Sequence, residues 1–96
     1  MDLGFTIKNL RKQRKQTQQE FAERCGITQT YLSQIENNLK EPNMSTLDEI
    51  SKELSLPLPL LFFLSMTESD IPEPKRQDFM KMAPALKSFV DGLFAV

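Results

Sequence analysis

The chain of 96 residues contains no histidine and a single cysteine, Cys25. Without histidine there is no imidazole for acid-base work near neutral pH and no plausible zinc set, and one cysteine cannot close an internal disulfide. Cys25 is read as a small core residue, with a redox-sensing thiol as the competing reading. Long apolar runs are missing too. The longest, Leu56 to Leu64, includes two prolines and is far short of the roughly 20 residues a membrane span needs. The first residues lack the charged and apolar regions of a secretory signal, so a cytoplasmic location and no membrane partner are expected. No nucleophile-base pair is evident, so neither enzyme activity nor a cofactor is expected.

What remains is ordinary for a soluble protein, 40% hydrophobic and 26% charged, and long enough for one small domain with an appendage. The net charge is −1, which hides an asymmetry. Residues 1–40 hold seven basic against four acidic side chains, whereas residues 41–96 hold five against nine. The positive half is suited to phosphate, so an acidic protein overall is not excluded from binding nucleic acid.

Within that positive half, Thr17 to Asn38 reads as two short helices joined at Cys25-Gly26-Ile27. Thr17 and Glu20 form a capping box, so a helix starts at Gln18. Phe21, Ala22 and Cys25 make its narrow apolar stripe, and Gly26 supplies the left-handed conformation that ends it. Thr28 is placed to cap a second helix, with Leu32 and Ile35 as its buried edge. Its other positions, Gln29, Thr30, Ser33, Gln34 and Asn37, are amides and hydroxyls where a surface helix ordinarily interleaves Glu and Lys. Such groups match base edges in a major groove: Gln and Asn pair bidentately with adenine, and Ser and Thr with most bases. The competing reading is a merely solvated polar face.

The pattern extends beyond the turn. Leu10-Arg11-Lys12, Thr17-Gln18, Ala22, Gly26, Tyr31-Leu32-Ser33, Ile35-Glu36, Pro42, Thr46-Leu47 and Ile50 follow, in order and without gaps, that of the phage repressor and Cro (XRE) helix-turn-helix family, which the chain resembles over about residues 3–64. The resemblance implies an all-α fold, a five-helix lambda-repressor-like DNA-binding domain over residues 1–66. It implies that Gln29, Thr30, Ser33 and Gln34 read bases, and that Gln18, Thr28, Tyr31, Asn37, Asn38 and Lys40 contact the DNA backbone. It also implies a structural ion pair between Arg11 and Glu36. Three positions depart from the family: Gln16 for the leucine that staples against Phe21, loosening the start of helix two, and Asn38 and Ser55 for glycines.

Around these residues, helix one is expected over about Leu3 to Lys15 with Leu3, Ile7 and Leu10 buried, while Lys12, Arg14 and Lys15 read as solvated. Helix four is capped by Asn43 or Ser45 and buries Leu47, Ile50 and Leu54. Helix five, about Pro59 to Ser65, closes the core with Leu58, Leu61 and Phe62. Leu60, Phe63 and Leu64 are then in excess and are expected to meet another surface. Residues 67–75 read as an extended linker. Residues 76–96 form a C-terminal amphipathic helical extension, with a seam of Phe79, Met82, Leu86, Phe89 or Val90, and Leu93. Pro84 should kink or divide it. The seam either packs back on its own domain or pairs with another chain, and pairing is the expectation. Together these features predict a transcriptional regulator that binds double-stranded DNA as a homodimer on an inverted repeat. The alternative is an antitoxin that autoregulates through the same motif and holds a toxin protein with its tail.

Overall fold

Helices begin in this chain where a side-chain oxygen can take up the first free N–H groups. Asp2 accepts from Phe5 N at 3.1 Å and opens α1, Leu3–Gln13. The capping box forms in full, with Thr17 Oγ1 accepting from Glu20 N and Glu20 from Thr17 N, and opens α2, Gln18–Cys25. Thr28 accepts from Tyr31 N at 3.0 Å and opens α3, Gln29–Glu36. Asn43, not Ser45, caps α4, Met44–Glu53, accepting from Thr46 N at 2.8 Å. Helix α5, Leu58–Ser65, has no side-chain cap, but the proline in its first turn lacks an N–H that would need one. A 3-10 turn, Glu68–Asp70, leads to α6, Glu73–Phe94. The computed structural model describes residues 1–94, and these are helical without any strand.

Five helices meet in one core, to which each gives a fully buried side chain: Ile7, Phe21, Leu32, Ile50 and Leu61. Removing each from water is worth about 1.5 to 3 kcal/mol. Leu47 and Leu54 are buried as their spacing predicts, and so is Leu56 in the loop after α4, which the periodicity of the helices did not mark. Helix α1 differs from expectation. Its buried line is Gly4, Ile7 and Arg11, with Leu3 and Leu10 half-buried beside it. Gly4 lies against the end of α3, where an added Cβ would fall 2.9 Å from the Glu36 carbonyl oxygen and closer still to that of Ile35. Only glycine permits that approach.

The tail corrects three expectations. Residues 67–75 are not an extended linker, because the 3-10 turn occupies Glu68–Asp70 and α6 begins at Glu73. Of the two outcomes expected at Pro84, division is excluded, since α6 runs unbroken through it. Pro84 and Met80 are both exposed, so the missing hydrogen bond falls on the solvent side, while Ala83 and Val90 are buried. The apolar seam also splits. Val90, placed in a partner-facing set by its spacing, joins the chain's own core, and Phe94 packs against that core. Phe79 is half-buried. Leu60, Phe63 and Leu64 are half-buried on the same core, so much of the surplus of α5 is taken up within the chain. Met82, Leu86, Phe89 and Leu93 remain on the outer edge of α6, 42% to 66% exposed. The last two positions of the expected tail helix lie outside the described residues.

Candidate DNA interface

The turn between α2 and α3 is fixed by backbone geometry. Gly26 adopts φ 71°, a left-handed value, and the N–H groups of Gly26 and Ile27 donate to Glu23 O and Ala22 O at 3.1 and 3.0 Å. Leu32 and Ile35 then anchor α3 inward. Gln29 and Thr30 are exposed, and Ser33 and Gln34 are half-exposed, at positions that share one helical face. Among the described residues, no internal hydrogen bond ties the side chains of Gln29, Thr30 or Gln34. Their donors and acceptors are open to solvent.

Behind this face lies a polar network. Arg11 Nε meets Glu36 Oε2 at 2.7 Å and Arg11 Nη2 meets Oε1 at 3.0 Å, a two-pronged pair whose side chains are 7% and 1% exposed. The third nitrogen, Nη1, donates to Gln16 O at 2.8 Å. Gln16 accepts from Arg14 Nε at 3.0 Å and donates to Glu53 at 2.8 Å, so it ties the end of α1 to α4. The departure at Gln16 thus replaces an apolar staple with a tether and does not leave the start of α2 unheld. A polar residue where the family buries leucine was the available sign of such a tether.

The other end of α3 is also fastened. Asn38 takes φ 58°, the left-handed role for which asparagine is the usual substitute for glycine. Its Oδ1 accepts from Gly4 N at 3.2 Å and its Nδ2 donates to Asp2 at 2.9 Å. The Asn38 amide and the Phe5 N–H hold the Asp2 carboxyl below its ordinary range. Leu39 and Lys40 both donate their N–H groups to Gln34 O, which fixes the loop that presents the exposed Lys40.

With this geometry in view, the helix-turn-helix family model spans residues 7–61, more than half of the chain. The chain belongs to the XRE helix-turn-helix family. It is 38% identical over 56 residues to an immunity repressor protein of Bacillus phage phi105, covering 58% of this chain and 39% of that protein. With the ImmF control region 10 kDa protein of the same phage, identity is 39% over 71 residues, 74% of this chain and 76% of the relative. With the HTH-type transcriptional regulator SinR of Bacillus subtilis it is 36% over 55 residues, 56% and 50% of the two chains. The XRE chain therefore spans about two fifths of the repressor and half of SinR. No solved structure matches it.

Among the backbone-contact positions that the XRE resemblance implies, the structure separates two groups. Thr28, Asn37 and Lys40 are exposed. Thr28 Oγ1 accepts from Tyr31 N and keeps its proton for an outside acceptor, while Asn37 leans on α3 through Ser33 O at 2.9 Å. Asn38 is exposed as well, but like Gln18 and Tyr31 it is engaged within the chain. Gln18 donates its amide to Glu36 Oε1 at 3.0 Å, Asn38 uses both ends of its amide internally, and Tyr31 packs half-buried on the core. Gln18 keeps for a phosphate its backbone N–H in the first turn of α2 and the second hydrogen of its amide. Cys25 is buried, and burial, followed by the nearby charges of Glu53 and Glu49, pushes its thiol up to about 12. A thiol so held is a core residue and not a redox sensor. No helix of the described residues is long and apolar enough to cross a membrane.

Proposed function

We propose that this XRE chain is a sequence-specific transcriptional regulator that binds double-stranded DNA as a homodimer, with one α3 in the major groove of each half-site of an inverted repeat. The observation that carries this reading is the charge-free face of α3, open to solvent and backed by a rigid network. Gln29, Thr30, Ser33 and Gln34 read base edges there, and Thr28, Asn37, Lys40 and the Gln18 N–H position the domain on the phosphates. Relatives named as an immunity repressor and as transcriptional regulators support the same reading. Half-sites of a two-fold dimer lie about 34 Å apart.

The outer edge of α6 supports the homodimer. Met82, Leu86, Phe89 and Leu93 recur at helical spacing and stay exposed after the inner edge has packed. Self-pairing through that edge leaves each domain's own core intact.

Selection of bound sequences from a random DNA pool, followed by affinity measurement at one fixed salt concentration, tests the reading. An inverted repeat is expected, and Gln29→Ala should lose about 1 to 3 kcal/mol, roughly 5- to 150-fold in affinity. Equal binding by wild type and Gln29→Ala would overturn the base-reading role. The mass of the purified chain in solution tests the dimer. A monomer that gains a stable complex only with a different protein seated on α6 supports the antitoxin reading instead.

A further inference from the structure

A cavity of about 110 Å³ lies away from the DNA-facing surface, between α1, the end of α4, α5 and the last turns of α6. Leu10, Leu54, Leu56, Leu64, Val90 and Phe94 give it an apolar lining, to which Gln13, Arg14 and Asp91 add polar groups. One strong donor lines it as well. Arg14 gives its Nε to Gln16 at 3.0 Å, while its Nη1 is buried without a hydrogen-bond partner among the described residues. Asp91 lines it too, and among the described residues no ion pair joins it to Arg14.

We propose that this cavity is a binding site for a small aliphatic carboxylate. A guanidinium is always charged and presents its N–H groups as a planar fork that matches a carboxylate, so the unpartnered Nη1 marks where the anionic end would sit. The apolar wall takes the hydrocarbon. An aliphatic cavity of about 150 Å³ accommodates benzene, so a space somewhat smaller suits a chain of about four or five carbons. The ligand would bridge α1 to α6, adding a link where the tail is held by few buried side chains. The site is independent of the DNA-binding reading and does not require it.

The test is a titration of the full, isotopically labelled chain with pentanoate, followed by amide resonances, with 1-pentanol as the same chain lacking charge. Saturable shifts are expected at Arg14, Leu56, Leu64 and Val90. They should be weaker for 1-pentanol by on the order of tenfold, the difference made by a charge-assisted hydrogen bond. Arg14→Gln should reduce pentanoate binding to the level of the alcohol. Val90→Phe, which fills the cavity and leaves the guanidinium in place, should abolish binding of both. Three results overturn the site: no saturable shift in the millimolar range, equal binding of pentanoate and 1-pentanol, or pentanoate binding unchanged in Val90→Phe.

Discussion

The Arg11–Glu36 pair gives the sharpest test of how this domain is held. Glu36→Gln preserves shape and helix propensity but removes the charge opposite a guanidinium that is only 7% exposed and reaches no second carboxylate. The energy lost is therefore electrostatic. Breaking a buried pair from one side costs about 3 to 5 kcal/mol. A domain of this size has about 5 to 14 kcal/mol of total stability, so the variant loses a large share of it. A loss of about 3 kcal/mol lowers Tm by roughly 12 to 24 °C. Arg11→Met combined with Glu36→Leu should recover only part of the loss, although an apolar pair of similar volume is by itself often as stable as the ionic one. Recovery stays incomplete by about 1 to 3 kcal/mol for each polar group left unpaired, here Gln18 Nε2 and Gln16 O. Urea and thermal unfolding followed by circular dichroism measure the cycle. If each single variant lowers Tm by less than about 4 °C, equivalent to about 1 kcal/mol or less, the pair is solvated and the network is not what fixes α3.

Other perturbations have definite signs. Gly4→Ala forces a Cβ against backbone oxygens of Ile35 and Glu36 and should cost about 1 to 3 kcal/mol in an unfolding titration, as overpacking does. Asp2 has a lowered folded-state pKa, so its contribution is present above the unfolded value of about 3.9 and is lost as pH falls through the folded one. The stability advantage of wild type over Asp2→Asn should accordingly be constant near neutrality, begin to fall as pH approaches the unfolded value, and vanish only below the lowered folded-state pKa. Cys25 should resist alkylation in the native chain at pH 8 and react once urea unfolds it; rapid native labelling would contradict its burial and its raised pKa.

The first five helices were legible because each carries a local signal. The Thr17–Glu20 box, Thr28 and Gly26 mark starts and stops, and Phe21, Leu32, Ile35 and Ile50 keep helical spacing. What escaped the sequence depends on long-range partners. Nothing in the local pattern shows that Gly4 faces the carbonyls of α3, or that Gln16 reaches Glu53, 37 positions away. The tail shows a different limit. Periodicity identified an apolar arc on α6 but not which edge of it would be used, since Val90 and Phe89 are adjacent in sequence and both apolar. Only the assembled core decides that Val90 turns inward while Phe89 stays exposed. Pro84 lies inside α6, where proline costs about 3 kcal/mol, and its exposed position leaves the unpaired backbone group open to water.

The division of labour along α3 follows from its length. Eight residues are too few to hold a helix in water, so α3 exists only through tertiary contacts. Leu32 and Ile35 supply the apolar ones, Glu36 ties its last turn to Arg11 and Gln18, and Asn38 fastens the following residue to α1. These anchors gather on the inner side and at the C-terminal end. Gln29 and Thr30, in the exposed first turn, make no internal hydrogen bond among the described residues. Their substitution should therefore leave stability within about 0.5 kcal/mol while changing DNA affinity. Gln18→Ala and Asn38→Ala should instead lower stability, since the first takes a donor from buried Glu36 and the second takes the acceptor of the Gly4 N–H. Affinity loss at those two positions would then track loss of fold, and stability measured beside binding distinguishes a residue that reads DNA from one that holds the reader in place.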